Sequence, residues 1–198
     1  AEKFEKIDEE FSLTEYGLKS EIMSAYCYYK AKDYDDSLRI IDYFISFYPL
    51  DENMSYMYYL RSMNYYDQIQ SVKRSQQATK LAHRSFTELI KKFPKSKYAE
   101  DAKIKIEEIN DYLAGAEMYI ALSSMKKGHY IRALNSFNYI ISNYNESKYV
   151  PEAYYRIIET YISLGMNEEA NNIAKILEDN YPESRWLKYA QKAIDKTR

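Results

Sequence analysis

Four stretches of the chain share one arrangement of apolar and polar positions: SLRIIDYFISFYP at 37–49, AHRSFTELIKKFP at 82–94, ALNSFNYIISNYN at 133–145 and ANNIAKILEDNYP at 170–182. Each opens on a small residue, Ser37, Ala82, Ala133 or Ala170. Four positions on comes Ile41, Phe86, Phe137 or Ala174, and three further Phe44, Leu89, Ile140 or Leu177. Tyr48, Phe93, Tyr144 and Tyr181 stand four after that. Steps of four, three and four trace one side of an α-helix. Each stretch therefore predicts an amphipathic helix, with the small residue where another backbone approaches closely.

The junctions after these stretches repeat too: Pro94-Lys95-Ser96-Lys97-Tyr98, Asn145-Glu146-Ser147-Lys148-Tyr149 and Pro182-Glu183-Ser184-Arg185-Trp186. Proline lacks the N–H that a continuing helix needs, and a serine two places later caps the next helix through its hydroxyl. Asp51 holds that place in the first copy. Turns precede the repeated stretches at Lys32-Asp33, Lys127-Gly128-His129 and Leu164-Gly165-Met166, and Gly128 and Gly165 stand where a left-handed helix end favours glycine. The pattern predicts helices over 2–11, 14–31, 34–48, 53–69, 76–93, 97–127, 130–144, 149–164, 167–180 and 184–196. The interval from Pro49 to Pro94 to Asn145 to Pro182 is 45, 51 and 37 residues, against about 34 for a tetratricopeptide unit. The polar stretch 67–77 and the long helix 97–127, interrupted only by Gly115, absorb the excess. The expected fold is all-α, a single domain over 1–198 built as a tetratricopeptide-like solenoid of about five helix pairs, the first incomplete. Repeats bury their faces against neighbours, so the unpaired helix 2–11 suggests a missing partner before it.

Composition narrows the function classes. Among 198 residues, 28 Lys and Arg oppose 30 Asp and Glu, a formal charge of −2 that disfavours bulk nucleic-acid binding. Four glycines leave little material for phosphate-cradling loops. The one cysteine, Cys27, has no partner for an internal disulfide and reads as a small buried apolar residue inside a helix rather than a reactive thiol. With two histidines, it leaves a zinc site improbable. His83 and His129 fall in different repeats, without the orienting third group that acid–base or nucleophilic catalysis requires. Acidic pairs such as Glu107-Glu108 and Glu168-Glu169 read as solvated helix faces. No apolar run is long enough to span a membrane. The start at Ala1, with neither initiator Met nor signal pattern, suggests a chain trimmed of its targeting sequence.

The segment Phe93-Pro94-Lys95-Ser96-Lys97-Tyr98-Ala99-Glu100-Asp101-Ala102 is similar to the YPxSxYAxDA element of the BamD family, tetratricopeptide-repeat lipoproteins of the bacterial outer-membrane β-barrel assembly machine. The resemblance covers essentially the whole chain. It extends through 24–30 (SAYCYYK), 56–61 (YMYYLR), 113–119 (LAGAEMY) and Val72-Lys73-Arg74-Ser75, which stands for a family loop containing Arg-Ser or Arg-Asp. The order of these matches and the uneven repeat interval carry the weight. The resemblance implies a scaffold without catalysis or cofactor, on the periplasmic face of the outer membrane, held by an acylated N-terminal cysteine absent from this chain. It implies as partners the periplasmic POTRA region of BamA, unfolded β-barrel outer-membrane proteins and accessory Bam lipoproteins.

Tyr58, Arg61 and Tyr65 step by three and four on one helix face. They form either a substrate-peptide groove, by stacking and by arginine pairing to a carboxylate or carbonyl, or packing between helices. Tyr59 and Tyr66 read as packing. By resemblance, the C-terminal repeats dock BamA through Arg132, Asn135, Ser136, Tyr154, Tyr155 and Arg156, although Tyr155 also fits a core position. By resemblance, family members usually carry Asn-Arg where this chain has Asn135-Ser136; Ser136 supplies no guanidinium, so that BamA contact is either lost or moved to Arg132, one turn earlier. Lys73 and Arg74 belong either to a solvated loop or to a contact with an accessory subunit. The rival reading is a generic tetratricopeptide adaptor for a peptide tail or a cell-envelope partner.

Overall fold

The computed structural model describes residues 14–196, and these form nine α-helices. They are α1 (Glu15–Ala31), α2 (Tyr34–Phe47), α3 (Met54–Tyr66), α4 (Gln77–Lys92), α5 (Lys97–Lys126), α6 (Tyr130–Asn143), α7 (Val150–Ser163), α8 (Asn167–Asn180) and α9 (Arg185–Asp195). The helix expected over 2–11 lies outside the described residues. No strand occurs among the described residues, and the all-α, tetratricopeptide-like class is the one the periodicity predicts. None of the described helices is long and apolar enough to cross a membrane.

The apolar stripe explains how the helices pair. Ser37, Ala82, Ala133 and Ala170 are all buried, as are Phe44, Leu89, Ile140 and Leu177. The small residues permit close approach: the Ser37 hydroxyl donates to the Ala25 carbonyl of α1 at 2.9 Å, a contact that a larger side chain would prevent. The helix-ending aromatics are half-buried. In each, the backbone N–H donates to the carbonyl four residues back, Tyr48 to Phe44, Phe93 to Leu89, Tyr144 to Ile140 and Tyr181 to Leu177, at 2.8–2.9 Å. Their own carbonyls then accept the N–H of Asp51, Ser96, Ser147 and Ser184 at 2.9–3.0 Å. One elbow is thus built four times.

The capping residues do not all act alike. Ser184 accepts from the Trp186 N–H at 3.2 Å and Ser96 from the Ala99 N–H at 3.2 Å. Asp51 turns its carboxylate onto the Asn53 N–H at 2.7 Å, short of the helix that starts at Met54. Ser147 accepts from the Tyr149 N–H at 3.3 Å and donates to the Asp111 carboxylate at 2.6 Å, so it ties its elbow to α5. At the opposite helix ends, Gly128 and Gly165 take φ values of 76° and 75°, and Lys32 takes 63° in the same role. The N–H groups of Asp33, His129 and Met166 then close onto the carbonyls of Tyr28, Ser124 and Tyr161 at 2.9 Å.

The described residues form two compact units, 14–70 with 75–109, and 71–74 with 110–196. The first unit is centred on Ile41, Phe44, Met57, Phe86 and Leu89. In the second, Ala114, Met118, Phe137, Ile140, Val150 and Ile157 form one cluster, and Ile158, Leu177, Leu187 and Ile194 a further one. Gly115 does not interrupt α5. A Cβ there would stand 3.1 Å from the Tyr149 ring, so glycine serves close packing rather than a break.

Candidate functional site

In the first unit, α3 presents two different faces. Tyr58, Arg61 and Tyr65 point toward α2 and α4. Tyr58 is only 3% exposed. Its ring packs on Phe93 at 5.4 Å, with the Arg61 guanidinium 4.6 Å and the Lys92 ammonium 4.7 Å from its centroid. The Arg61 side chain, 16% exposed, reaches Glu88 Oε2 at 2.6 Å and Asp42 Oδ1 at 3.5 Å. Its Nε donates to the Ser85 hydroxyl at 3.4 Å, and that hydroxyl also accepts from Ser62 at 2.9 Å. Two carboxylates therefore neutralise the guanidinium that sequence reasoning offers to a peptide.

Arg61 and Tyr65 line a cavity of about 210 Å³ with Asp42, Arg84 and Glu88. Tyr65 also lines a neighbouring cavity of about 640 Å³, whose walls include Tyr34, Asp35, Leu38, Gln68 and Leu81. Leu81 is common to both, so they read as one cleft over α3, shallow and rich in carboxylates. Burial raises the Tyr65 hydroxyl pKa above the usual phenol value; Asp42 adds to the effect and Arg61 opposes it. Tyr58 lies beneath Arg61 and positions it.

The other face of α3 meets α5. Tyr59 stacks on Tyr98 at 5.0 Å and donates to Asp101 at 2.7 Å. Tyr66 meets the buried Phe86 edge-on at 6.1 Å, donates to Glu108 and lies 4.7 Å below the Lys105 ammonium. Tyr29 of α1 donates to Asp67, at the end of α3, at 2.6 Å. These hydroxyl–carboxylate bonds link successive first helices of the repeats. Tyr59 and Tyr66 are packing residues, as the pattern suggests. Glu108 is more than a solvated charge, because the Tyr66 hydroxyl holds its carboxyl below the usual range against the opposing effect of burial.

The second unit gathers Tyr155 and Arg156 of α7 around Trp186 of α9. Tyr155 stacks on Trp186 at 5.3 Å and approaches Tyr189 at 6.0 Å. The guanidinium of Arg156 lies 5.4 Å from the Trp186 ring centroid and that of Arg185 4.8 Å. Arg156 also bonds Glu152 at 3.1 Å and Glu159 at 2.8 Å, and Tyr155 donates to Glu159 at 2.6 Å. Tyr154 turns away from this group, packing near Tyr181 at 6.2 Å and against the apolar clusters. On α6, Arg132 and Asn135 are exposed and Ser136 is half-buried.

Sequence reasoning missed Trp186, although a signal was available. Tyr59 and Tyr155 are each the sixth residue of their helix, and each stacks on the aromatic of the next elbow. In three elbows the residue before that aromatic lays its cation on the ring, Lys97 on Tyr98, Lys148 on Tyr149 and Arg185 on Trp186, at 4.8–5.5 Å. In the loop between α3 and α4, Lys73 and Arg74 are exposed, and the Lys73 ammonium lies 5.5 Å from the Tyr119 ring of the same unit. Cys27 is half-buried rather than a core residue. No cluster of three metal-ligating side chains occurs among the described residues.

The chain is similar to known proteins over almost its whole length. A family model described as YfiO, outer membrane lipoprotein, matches residues 1–177. The outer membrane protein assembly factor BamD of Rickettsia prowazekii is 38% identical over 194 residues, which cover 98% of this chain and 77% of that protein. Those of Caulobacter vibrioides and Neisseria meningitidis serogroup A are 32% and 33% identical, over 97% of this chain and 63% and 76% of their own lengths. The chain belongs to the YfiO family of outer membrane lipoproteins.

Proposed function

We propose that this protein is a non-catalytic adaptor of outer-membrane protein assembly, working at the periplasmic face of the outer membrane from a lipid anchor on the full-length protein. The observation that carries the reading is the near full-length similarity to proteins named as outer membrane protein assembly factors. In this reading the second unit docks the periplasmic POTRA region of BamA. Arg132 and Asn135 offer exposed polar contacts beside Ser136. The Tyr155, Arg156 and Trp186 group supplies the preformed aromatic and arginine surface on which binding energy concentrates, and Tyr154 packs on the apolar core away from it.

The first unit receives unfolded β-barrel segments along the cleft of Arg61 and Tyr65, with Tyr58 as its support. Asp42 and Glu88 already hold Arg61, so recognition there rests on ring contacts with Tyr65 and on acceptors for peptide N–H groups, not on a free arginine clamp. Lys73 and Arg74 form a contact for an accessory subunit. A bound substrate segment shifts the machine between poses only by its preference for one of them.

Titration of the full chain against the BamA periplasmic region tests the docking role. Micromolar or tighter binding is expected, weakened at least tenfold by Arg132→Glu. Equal binding by the variant removes Arg132 from the surface, and absence of binding by the wild type removes the docking role.

A further inference from the structure

The four elbows share one backbone but not one surface. In the first, Phe47 is 64% exposed and Leu50 is 97% exposed, and Tyr43 packs against Phe47 with ring centroids 4.4 Å apart. In the second, Lys91 and Lys95 are exposed, while Lys92 reaches Tyr58 and Glu88 and the Lys97 ammonium lies 5.0 Å from the Tyr98 ring centroid. The residues matching Phe47 and Leu50 in the third and fourth elbows are Asn143 and Glu146, then Asn180 and Glu183. The same hydrogen bonds close all four turns, so folding requires neither the apolar tip nor the lysines.

Arg61 ties together the two helices that lead into these elbows. It bridges Asp42 of α2 and Glu88 of α4, each about a turn before its helix ends. The first unit therefore carries a protruding aromatic and leucine tip at the end of one of these helices and exposed lysines at the end of the other. The Asp51 carboxylate is turned into its own elbow, which leaves Glu52 as the exposed acid of the first elbow, while Lys97 and Glu100 offset each other at the start of α5 and Lys91 and Lys95 remain.

We propose that this edge rests on a phospholipid surface, with Phe47 and Leu50 entering the interfacial layer and Lys91 and Lys95 facing headgroup phosphates. Leu50, almost wholly clear of its neighbours, offers no groove to an extended peptide. A fluid interface closes around it regardless of shape, and aromatic rings favour that layer. The exposed lysines add attraction to anionic headgroups. An acyl anchor leaves the orientation of the protein free, and this edge fixes which side meets the bilayer. The proposal uses the lipoprotein character of the family and is independent of the assembly role.

Sedimentation of the full, unacylated chain with vesicles of phosphatidylcholine, alone or mixed with phosphatidylglycerol, tests it. Binding is expected to the mixed vesicles, to weaken with salt, and to fall about fivefold for each of Lys91→Gln and Lys95→Gln. Leu50→Ser should lower it further. In a Trp186→Phe background, Leu50→Trp should shift its fluorescence to the blue on vesicle addition, and Glu146→Trp at the matching position should not. No binding overturns the proposal, as does binding unchanged by these substitutions. Capture of the BamA periplasmic region through Lys91 and Lys95, with vesicles ignored, also overturns it by making the edge a protein dock.

Discussion

Tyrosine does two kinds of structural work in this protein. Tyr56, Tyr144 and Tyr155 have pKa values pushed up to about 12, in each case first by burial. Glu159 adds to this at Tyr155, and Tyr29 and Tyr59 are raised by burial together with their aspartate partners. A free tyrosine titrates near 10. A phenol whose folded-state pKa lies above that value contributes stability that is fully present below pH 10 and lost as pH climbs toward 12. The urea midpoint should therefore hold steady from neutral pH to about pH 9 and fall between roughly pH 10 and 12, with a shallower fall in Tyr155→Phe. A midpoint flat through pH 12 would contradict the packing described for these hydroxyls. The division of tasks among the tyrosines was not legible in the sequence. Nine of the 13 residues of α3 are aromatic, Met or Leu, so periodicity alone gives no means of choosing which tyrosines meet α5 and which meet α2 and α4.

Helix ends show how a local rule survives a change of residue. Gly128 and Gly165 close α5 and α7 in the left-handed region, and Lys32 closes α1 there with φ 63°. A side chain in that conformation costs about 1–2 kcal/mol, which glycine avoids at some cost in chain entropy. Lys32→Gly should stabilise the protein by about 1 kcal/mol and raise the melting temperature by about 2–4 °C. An unchanged or lower melting temperature would show that the Lys32 side chain contributes more than its backbone strain costs. The helices themselves were readable because their small, apolar and aromatic positions recur at a fixed spacing. The expected end of α3 at 69 falls instead at Tyr66, where the Gln68 amide donates to the Asn64 carbonyl and the chain turns. Gly115 was misleading as an interruption of α5. Its reason is the Tyr149 ring, which lies beyond the whole of α6 along the chain, and no local pattern announces such a contact.

At the scale of the molecule, one elbow repeated four times leaves its outward residues free to differ, and that freedom separates surfaces by task. The first two elbows carry apolar and basic groups, and the fourth opens onto the Trp186 group. The repeat and the family resemblance were visible in the sequence. The neutralisation of Arg61 was not, because Asp42 and Glu88 come from two other helices and are unremarkable where they stand. If this solenoid acts by docking other chains, hydrogen exchange of the full chain, alone and saturated with the BamA periplasmic region, should reveal it. Added protection is predicted in α6 and α7, over 130–143 and 150–163, with little change in α2. Uniform exchange across both states, or protection confined to α2 and α4, would contradict a docking role for the second unit.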